Sequence, residues 1–355
     1  MNGEAAPTGA TSRWPAAARV AWQPVAAVVA ALGVGAVLVL VAGANPLTGY
    51  LALVGGAFGS LNSLAEVAVK AAPLLLAGLG IAFAFKAGYW NIGAEGQLYM
   101  GALGATMVGL YLGAAPMVVV LPLATAAGFL LGALWGIVPG LLRARLGVSE
   151  IINTIMFNYI ALYVVSYLVT GPMKEEAGYL PQTDLIANSA VLPKLLPPTR
   201  LHAGVVLALA AAALMYWVMV RSTLGYRVRV VGGNPEAARY AGISVNRVFV
   251  VASGLSGGLA GLAGMGEISG LHQRLLDDIS PGYGFTAIVV ALLGRLHPAG
   301  VVIAAVLFAA LRVGADAMQR RLGIPVALVY IIQALVILFI VGREAFERVF
   351  QRGAA

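Results

Sequence analysis

RSTLGYRVRVVGGNPEAARYAGISVNR, Arg221 to Arg247, is a polar stretch between two long apolar segments, with five arginines and one acid. Membrane proteins keep Lys and Arg on the cytoplasmic side, so this stretch is expected to face the cytosol. Within it, Asn234-Pro235-Glu236 has the chemistry of a helix start. Asn caps exposed amides, Pro suits the first turn, and Glu sits well at the positive end of the helix dipole. Ala237, Ala238, Arg239 and Tyr240 continue a short helix, and Gly242 can end it. A capped helix held at the membrane surface between two spans is a docking element for a partner; the plain alternative is an ordinary linker.

The rest of the chain sets the class. Of 355 residues, 61% are hydrophobic and 10% charged, against about a quarter charged in soluble domains. Too little polar surface exists to coat such a chain in water. With no cysteine, disulfides, thiolate metal sites and cysteine nucleophiles are excluded. The net charge of +8 is scattered over short loops, which reads as membrane topology and not as nucleic-acid binding.

Residues 1–19 read as a disordered cytosolic tail, 20–343 as the transmembrane domain and 344–355 as a second cytosolic tail. Spans are expected near 25–44, 64–86, 91–112, 116–142, 148–169, 201–220, 247–270, 281–296, 298–319 and 324–342. With ten crossings and the N-terminus inside, the cytosolic side collects fourteen cations and the outside six, with Lys70 and Arg312 left in spans. That balance places both termini in the cytosol and makes 170–200 the largest extracytoplasmic loop, a plausible contact for an external binding protein. Two sets of five spans would be oppositely oriented, as inverted repeats are.

Four motifs resemble the permease subunits of ABC importers for nucleosides and simple sugars. They are Asn91–Gln97 (NIGAEGQ), Ser149–Met156 (SEIINTIM), Gly232–Ile243 (GGNPEAARYAGI) and Ser280–Phe285 (SPGYGF). The resemblance runs from Pro46 to Gly342 and fits the nucleoside branch better than the sugar or branched-chain amino-acid branches. It implies a multi-pass protein of the cytoplasmic (inner) membrane. It also implies a cytosolic ABC ATPase carrying the ATP and magnesium, a second, related permease subunit and an extracytoplasmic substrate-binding lipoprotein. No cofactor or metal is expected on this chain.

Candidate path residues follow from polarity. Asn91, Glu95 and Gln97 stand beside permissive glycines, as a gate or path wall, or as an interfacial turn capping the third span. Asn153, Asn158 and Tyr159 can bond a base or ribose, or tie helices together. Tyr283 and Phe285 can stack on a flat base or anchor at the interface. Glu66 with Lys70, and Arg312 with Asp316, are four apart and are expected to pair along their own helices. Glu267 is expected to reach water, and Glu150 to favour a helix start. Gly128, Gly132, Gly136 and Gly140, and Gly254, Gly257, Gly258 and Gly261, form smooth faces for helix packing or for a second permease.

Several chemistries are missing. There is no Gly-x-x-x-x-Gly-Lys-Ser/Thr phosphate loop, and the three histidines, His202, His272 and His297, are far apart. The expected reading is an all-α permease that imports nucleosides, purine nucleosides first, by ATP-driven motion transmitted through Asn234 to Gly242. The alternatives are a sugar permease, an ion-coupled secondary transporter and a non-transporting scaffold.

Overall fold

The computed structural model describes residues 33–41, 43–176, 178–323 and six positions between 327 and 335. The chain parts into two units, Met1–Gly49 with Leu322–Ala355, and Tyr50–Arg321. The expected tails, and most of the spans 25–44 and 324–342, lie outside the described residues. What is described before the second unit is α1 (Gly33–Val41) and the start of α2 (Pro46–Phe58). Asn45 Oδ1 accepts the Leu47 N–H at the head of α2.

The second unit is helical throughout its long elements. α3 (Leu61–Lys86), α4 (Ala94–Tyr111), α5 (Met117–Leu146) and α6 (Glu150–Thr170) lead to a long connection, 171–203. Then come α7 (Gly204–Arg221), α8 (Thr223–Gly233), α9 (Pro235–Tyr240) and α10 (Val245–Glu267), which runs into a π-helical turn, Ile268–His272. α11 (Tyr283–Leu293) and α12 (Pro298–Leu322) follow. Only isolated bridges, no strands, occur among the described residues.

Six of these helices are long and apolar enough to cross a membrane: α3, α5, α6, α7, α10 with its π turn, and α12. The count becomes seven if α1 and α2 form one span. α4 and α11 stand where the third and eighth spans are expected, and neither is among the six helices that meet the length and apolarity of a crossing. α4 starts at Ala94 after an irregular segment. α11 has 11 residues, about 16 Å at 1.5 Å per residue, half the roughly 30 Å of a hydrocarbon core.

α3 and α10 form the centre, and α3 is buried without a break from Ala71 to Ala84. α5, α6 and α7 turn Leu130, Leu134, Tyr163, Leu209 and Trp217 outward. An apolar exterior of this extent belongs in lipid. The two glycine faces meet each other within this chain. Gly128, Gly132 and Gly136 of α5 lie against Ser253, Gly257 and Gly261 of α10, and a Cβ on Gly132 would collide with the Gly257 carbonyl. Close helix packing is therefore their role.

The intramembrane charges pair differently from the expectation. Lys70 Nζ lies 2.6 Å from Asp316 Oδ2, joining α3 to α12. Glu66 accepts from Arg200 Nε at 2.7 Å and from a second guanidinium nitrogen. Spacing along one helix is a weak constraint where long side chains face a neighbouring element, and the cross-element partner wins at both positions. The Arg312 guanidinium sits 5.9 Å from the Tyr283 ring centroid. Glu267 does not reach water: it is 3% exposed, with Oε2 3.5 Å from His272 Nε2. Glu150 does open α6, and it also pairs with Arg143 of α5 at 3.1 Å.

The 171–203 connection is stitched to the segment after α10. Thr183, Ile186 and Leu192 donate their backbone N–H groups to the carbonyls of Leu275, Gln273 and Ser269 at 2.8–3.0 Å. Arg274 bridges to Glu175 at 2.8 Å.

Candidate functional site

Two polar regions stand out, one inside the bundle and one at its end. The inner one begins where α3 stops at Lys86. Gly88, at φ +75°, takes the left-handed turn that reverses the chain, and 89–93 return alongside α6 and α10 to start α4. Asn91 is fully buried. Its Nδ2 donates to Gln97 Oε1 at 2.9 Å and to Ser256 Oγ at 2.8 Å. Its Oδ1 accepts from the Gly93 N–H at 2.9 Å and from Gln97 Nε2 at 3.1 Å. All four hydrogen-bonding positions of the amide are thus filled.

Asn158 brackets the same segment from α6, accepting the Gly96 N–H at 2.8 Å and donating to the Ile92 carbonyl at 2.9 Å. Thr154 Oγ1 accepts the Ile92 N–H at 3.2 Å. Irregular backbone inside a membrane survives only where protein groups satisfy it. Here α6 does so through Asn158 and Thr154, while Ser256 of α10 holds the Asn91 side chain. Asn153 lies next to this group, its Nδ2 3.5 Å from the Pro139 carbonyl.

Glu95 does something the sequence did not indicate. It is 4% exposed and accepts the Gly284 N–H at 2.6 Å. The neighbouring N–H of the turn, that of Tyr283, is accepted by Ser280 Oγ at 3.0 Å. Gly282, at the head of α11, offers no side chain for capping. Glu95, 189 residues away in sequence, supplies the cap, its carboxyl oxygen set at the positive end of the α11 dipole. Gly284 is required for this approach, because a Cβ there would strike the Glu95 backbone. Glu95 therefore caps α11 and not the first turn of its own helix. One turn on, Tyr99 OH lies 3.4 Å from Asp278 Oδ1.

The structure thus gathers Asn91, Glu95, Gln97, Asn158 and Tyr283 in the interior, with Asn153 beside them. Tyr159 and Phe285 are half exposed on the outer surface of the bundle. Sequence reasoning missed Thr154 and Ser256. Ser256 sits in a glycine-rich helix where nothing in the local pattern marks it.

The second region is the polar stretch Arg221 to Arg247. α9 has the local build expected of it. Asn234 Oδ1 accepts the N–H groups of Glu236 and Ala237 at 2.9 and 3.1 Å, and Pro235 takes the first turn. Gly242, at φ +75°, reverses the chain, and the Ile243 N–H closes on the Ala238 carbonyl at 2.9 Å. Ala238 is buried, Arg239 pairs with Glu236, and Tyr240 is 93% exposed. A shallow cavity of about 360 Å³ beside α9 is lined by Arg239, Ile243 and Asn246. What precedes α9 is not loop but α8. Ser222 Oγ caps it by accepting the Gly225 N–H at 3.1 Å, and Val228, Val231 and Gly232 seat it, Gly232 against the Lys86 carbonyl.

A lipid-exposed bundle with buried charges, broken segments meeting inside it and a capped helix presented at one end defines an integral membrane permease. Residues 63–341 match the family described as branched-chain amino acid transport system / permease component, and the chain belongs to that family. It is 42% identical to the glucose ABC transporter permease of Haloferax volcanii, over 92% of this chain and 88% of that one. It is 38% identical to the guanosine ABC transporter permease of Bacillus subtilis, over 91% and 94%. The nucleoside ABC transporter permease of Lactococcus lactis is 34% identical over 94% and 93%. The last two species each hold a second, more distant permease also similar to this chain. No solved structure matches.

Proposed function

We propose that this chain forms the translocation path of an ATP-driven importer of nucleosides, purine nucleosides first, in the cytoplasmic membrane. The observation that carries the nucleoside assignment is the match to the guanosine and nucleoside permeases over more than nine-tenths of this chain. A simple-sugar substrate is the second reading, favoured by the 42% identity to the glucose permease. In this reading the chain binds no cofactor, and a cytosolic ABC ATPase holds the ATP and magnesium. The partners are that ATPase, a second permease of the same family and an extracytoplasmic binding lipoprotein over the 171–203 connection.

The α9 end faces the cytosol, with ten spans and both termini inside. The excess of arginine at that end supports this orientation. An inverted five-plus-five repeat gains support from α4 and α11, the third and eighth elements of the span series. Both follow irregular segments, and they meet N-terminus to N-terminus at Glu95 and Gly284. Interrupted helices at matching places in two halves are a pointer to a transport site.

In the mechanism we infer, closure of the ATPases presses on α9 through Asn234, Pro235, Glu236, Ala238, Arg239, Tyr240 and Gly242. α9 leads through the Ser244 cap straight into α10, whose Ser256 is bonded to Asn91. Motion at α9 therefore reaches the bracketed segment, and Asn91, Glu95, Gln97, Asn153, Asn158 and Tyr283 are the path candidates inside this chain, while Tyr159 and Phe285, on its outer surface, could join a path only where a second permease covers them. Uptake into vesicles bearing the full complex tests the reading: ATP-dependent accumulation of labelled guanosine is expected. Uptake driven by an ion gradient without the ATPase would overturn it, and accumulation of glucose alone would select the second reading.

A further inference from the structure

Charge inside a bilayer needs an explanation, since a lone ion at its centre costs roughly 2.5–3.5 kcal/mol on insertion scales. Lys70 lies nine residues after Leu61, and Arg312 ten before Leu322. They are therefore about 13 and 15 Å along their helices from the ends nearer the long connection. Such residues face a water-filled or protein-lined space, and for Lys70 this space exists. Glu66, Lys70, Arg200, Asp316 and Arg320 line a cavity of about 400 Å³, with Asn62 at its edge. That volume falls within the roughly 300–1,000 Å³ of small-molecule sites.

The cavity joins three parts of the chain. The Lys70–Asp316 pair links α3 to α12, and the Arg200–Glu66 pair links the long connection to α3. Asp316 keeps 32% and Arg200 56% of its side chain exposed, so both pairs have faces open to a ligand. The polar groups continue inward. Arg312, one turn from Asp316, has its guanidinium over the Tyr283 ring, and Tyr283 precedes Gly284, whose N–H is held by Glu95. Glu267, at the end of α10, is buried with an Oε2 that takes no hydrogen bond from the described residues.

We propose that this cavity is the outer acceptance site of the permease. It takes a neutral polyhydroxylated ligand, the ribose of a nucleoside or a free sugar, between the Lys70–Asp316 and Arg200–Glu66 pairs. The inference rests on the transport reading and orientation above. Vicinal hydroxyls donate to the two carboxylates, while the ammonium and guanidinium donate to ligand oxygens. Between the two pairs the charges cancel, so a diol adds bonds there and leaves both pairs standing, whereas a charged ligand seated between them would compete with one pair; the lining also holds Arg320, a further cation.

The chain has no cysteine, so Asn62→Cys gives a single label site on this chain, read on its own band, with Val313→Cys as the replacement if that variant does not assemble. In the full complex without ATP, a membrane-impermeant maleimide applied outside is expected to react. Excess guanosine in one arm and excess glucose in the other is expected to slow the reaction severalfold. Protection by guanosine alone assigns the ribose moiety, by glucose alone the free sugar, and by both the shared hydroxyl chemistry. Adding Asp316→Asn is expected to abolish protection while labelling persists. A Lys70→Asp/Asp316→Lys exchange keeps an ion pair but reverses donor and acceptor, and uptake is expected to stay below a tenth of the unaltered complex. Full recovery by that exchange, no labelling from outside, or no protection by either ligand in a complex that transports would overturn the proposal. A complex that accumulates neither ligand would overturn the transport reading and this site with it.

Discussion

The segment 91–97 and helix α9 are both short polar stretches set between apolar helices, and they are built in opposite ways. In the first, Asn91, Gln97, Asn158 and Glu95 direct their polar atoms at other protein groups, and the segment is sealed. In the second, the hydrogen bonds stay within the helix and its caps, leaving Tyr240 and Arg239 on display. Polarity in an apolar chain thus has two meanings. A closed network fixes a shape, and an open one offers a grip.

The widest test of this contrast is Asn158→Leu, which keeps the size and removes both bonds. It leaves the Gly96 N–H and the Ile92 carbonyl unsatisfied, at about 2 kcal/mol each. A clear fall in the melting temperature of the detergent-solubilised protein is expected; an unchanged value would mean that α6 does not hold the segment. Glu95→Ala comes next. Losing this cap of α11, with the Gly284 N–H left unsatisfied, is expected to cost about 2 kcal/mol and to cut uptake at least about tenfold, with insertion intact by surface labelling. Undiminished uptake would remove Glu95 from the path.

The open region should respond the other way. Arg239→Ala with Tyr240→Ala is expected to change stability by less than about 0.5 kcal/mol while ATPase co-purification and uptake fall severalfold. A large loss of stability would show that α9 belongs to the packed body after all. The smallest effect expected is on His202, in the long connection. Burial holds its imidazole below the ordinary value of 6.5. The folded protein therefore prefers the neutral ring, and this contribution is complete above that value and lost as pH falls below it. Protease resistance of the connection should drop between pH 7 and 5, and His202→Gln should flatten the profile.

How much of this was legible in the sequence depends on distance along the chain. α9 was readable because its whole build is local: Asn234, Pro235 and Gly242 lie within nine positions. The membrane class followed from composition, and the packing role of the glycine faces from their four-residue spacing. The charge pairs were misread for the complementary reason. Spacing pointed to Arg312 and Asp316, yet Asp316 pairs with Lys70, 246 positions away. The cap on α11 likewise joins residues 189 apart, and α8 was hidden because a run of arginine and glycine looks like loop until Val228 and Val231 find a surface.

The seam between α5 and α10 has a mechanical consequence. Helices that interlock through bulky side chains can shift only in jumps from one notch to the next. Gly128, Gly132 and Gly136 face Gly257 and Gly261 with bare backbone, but the Phe129 ring and the Ile137 side chain of α5 fit against Gly258 and Gly254, so the seam is toothed at two points. Any displacement that enters α10 would therefore be shared with α5, and the two helices are set to move as one block.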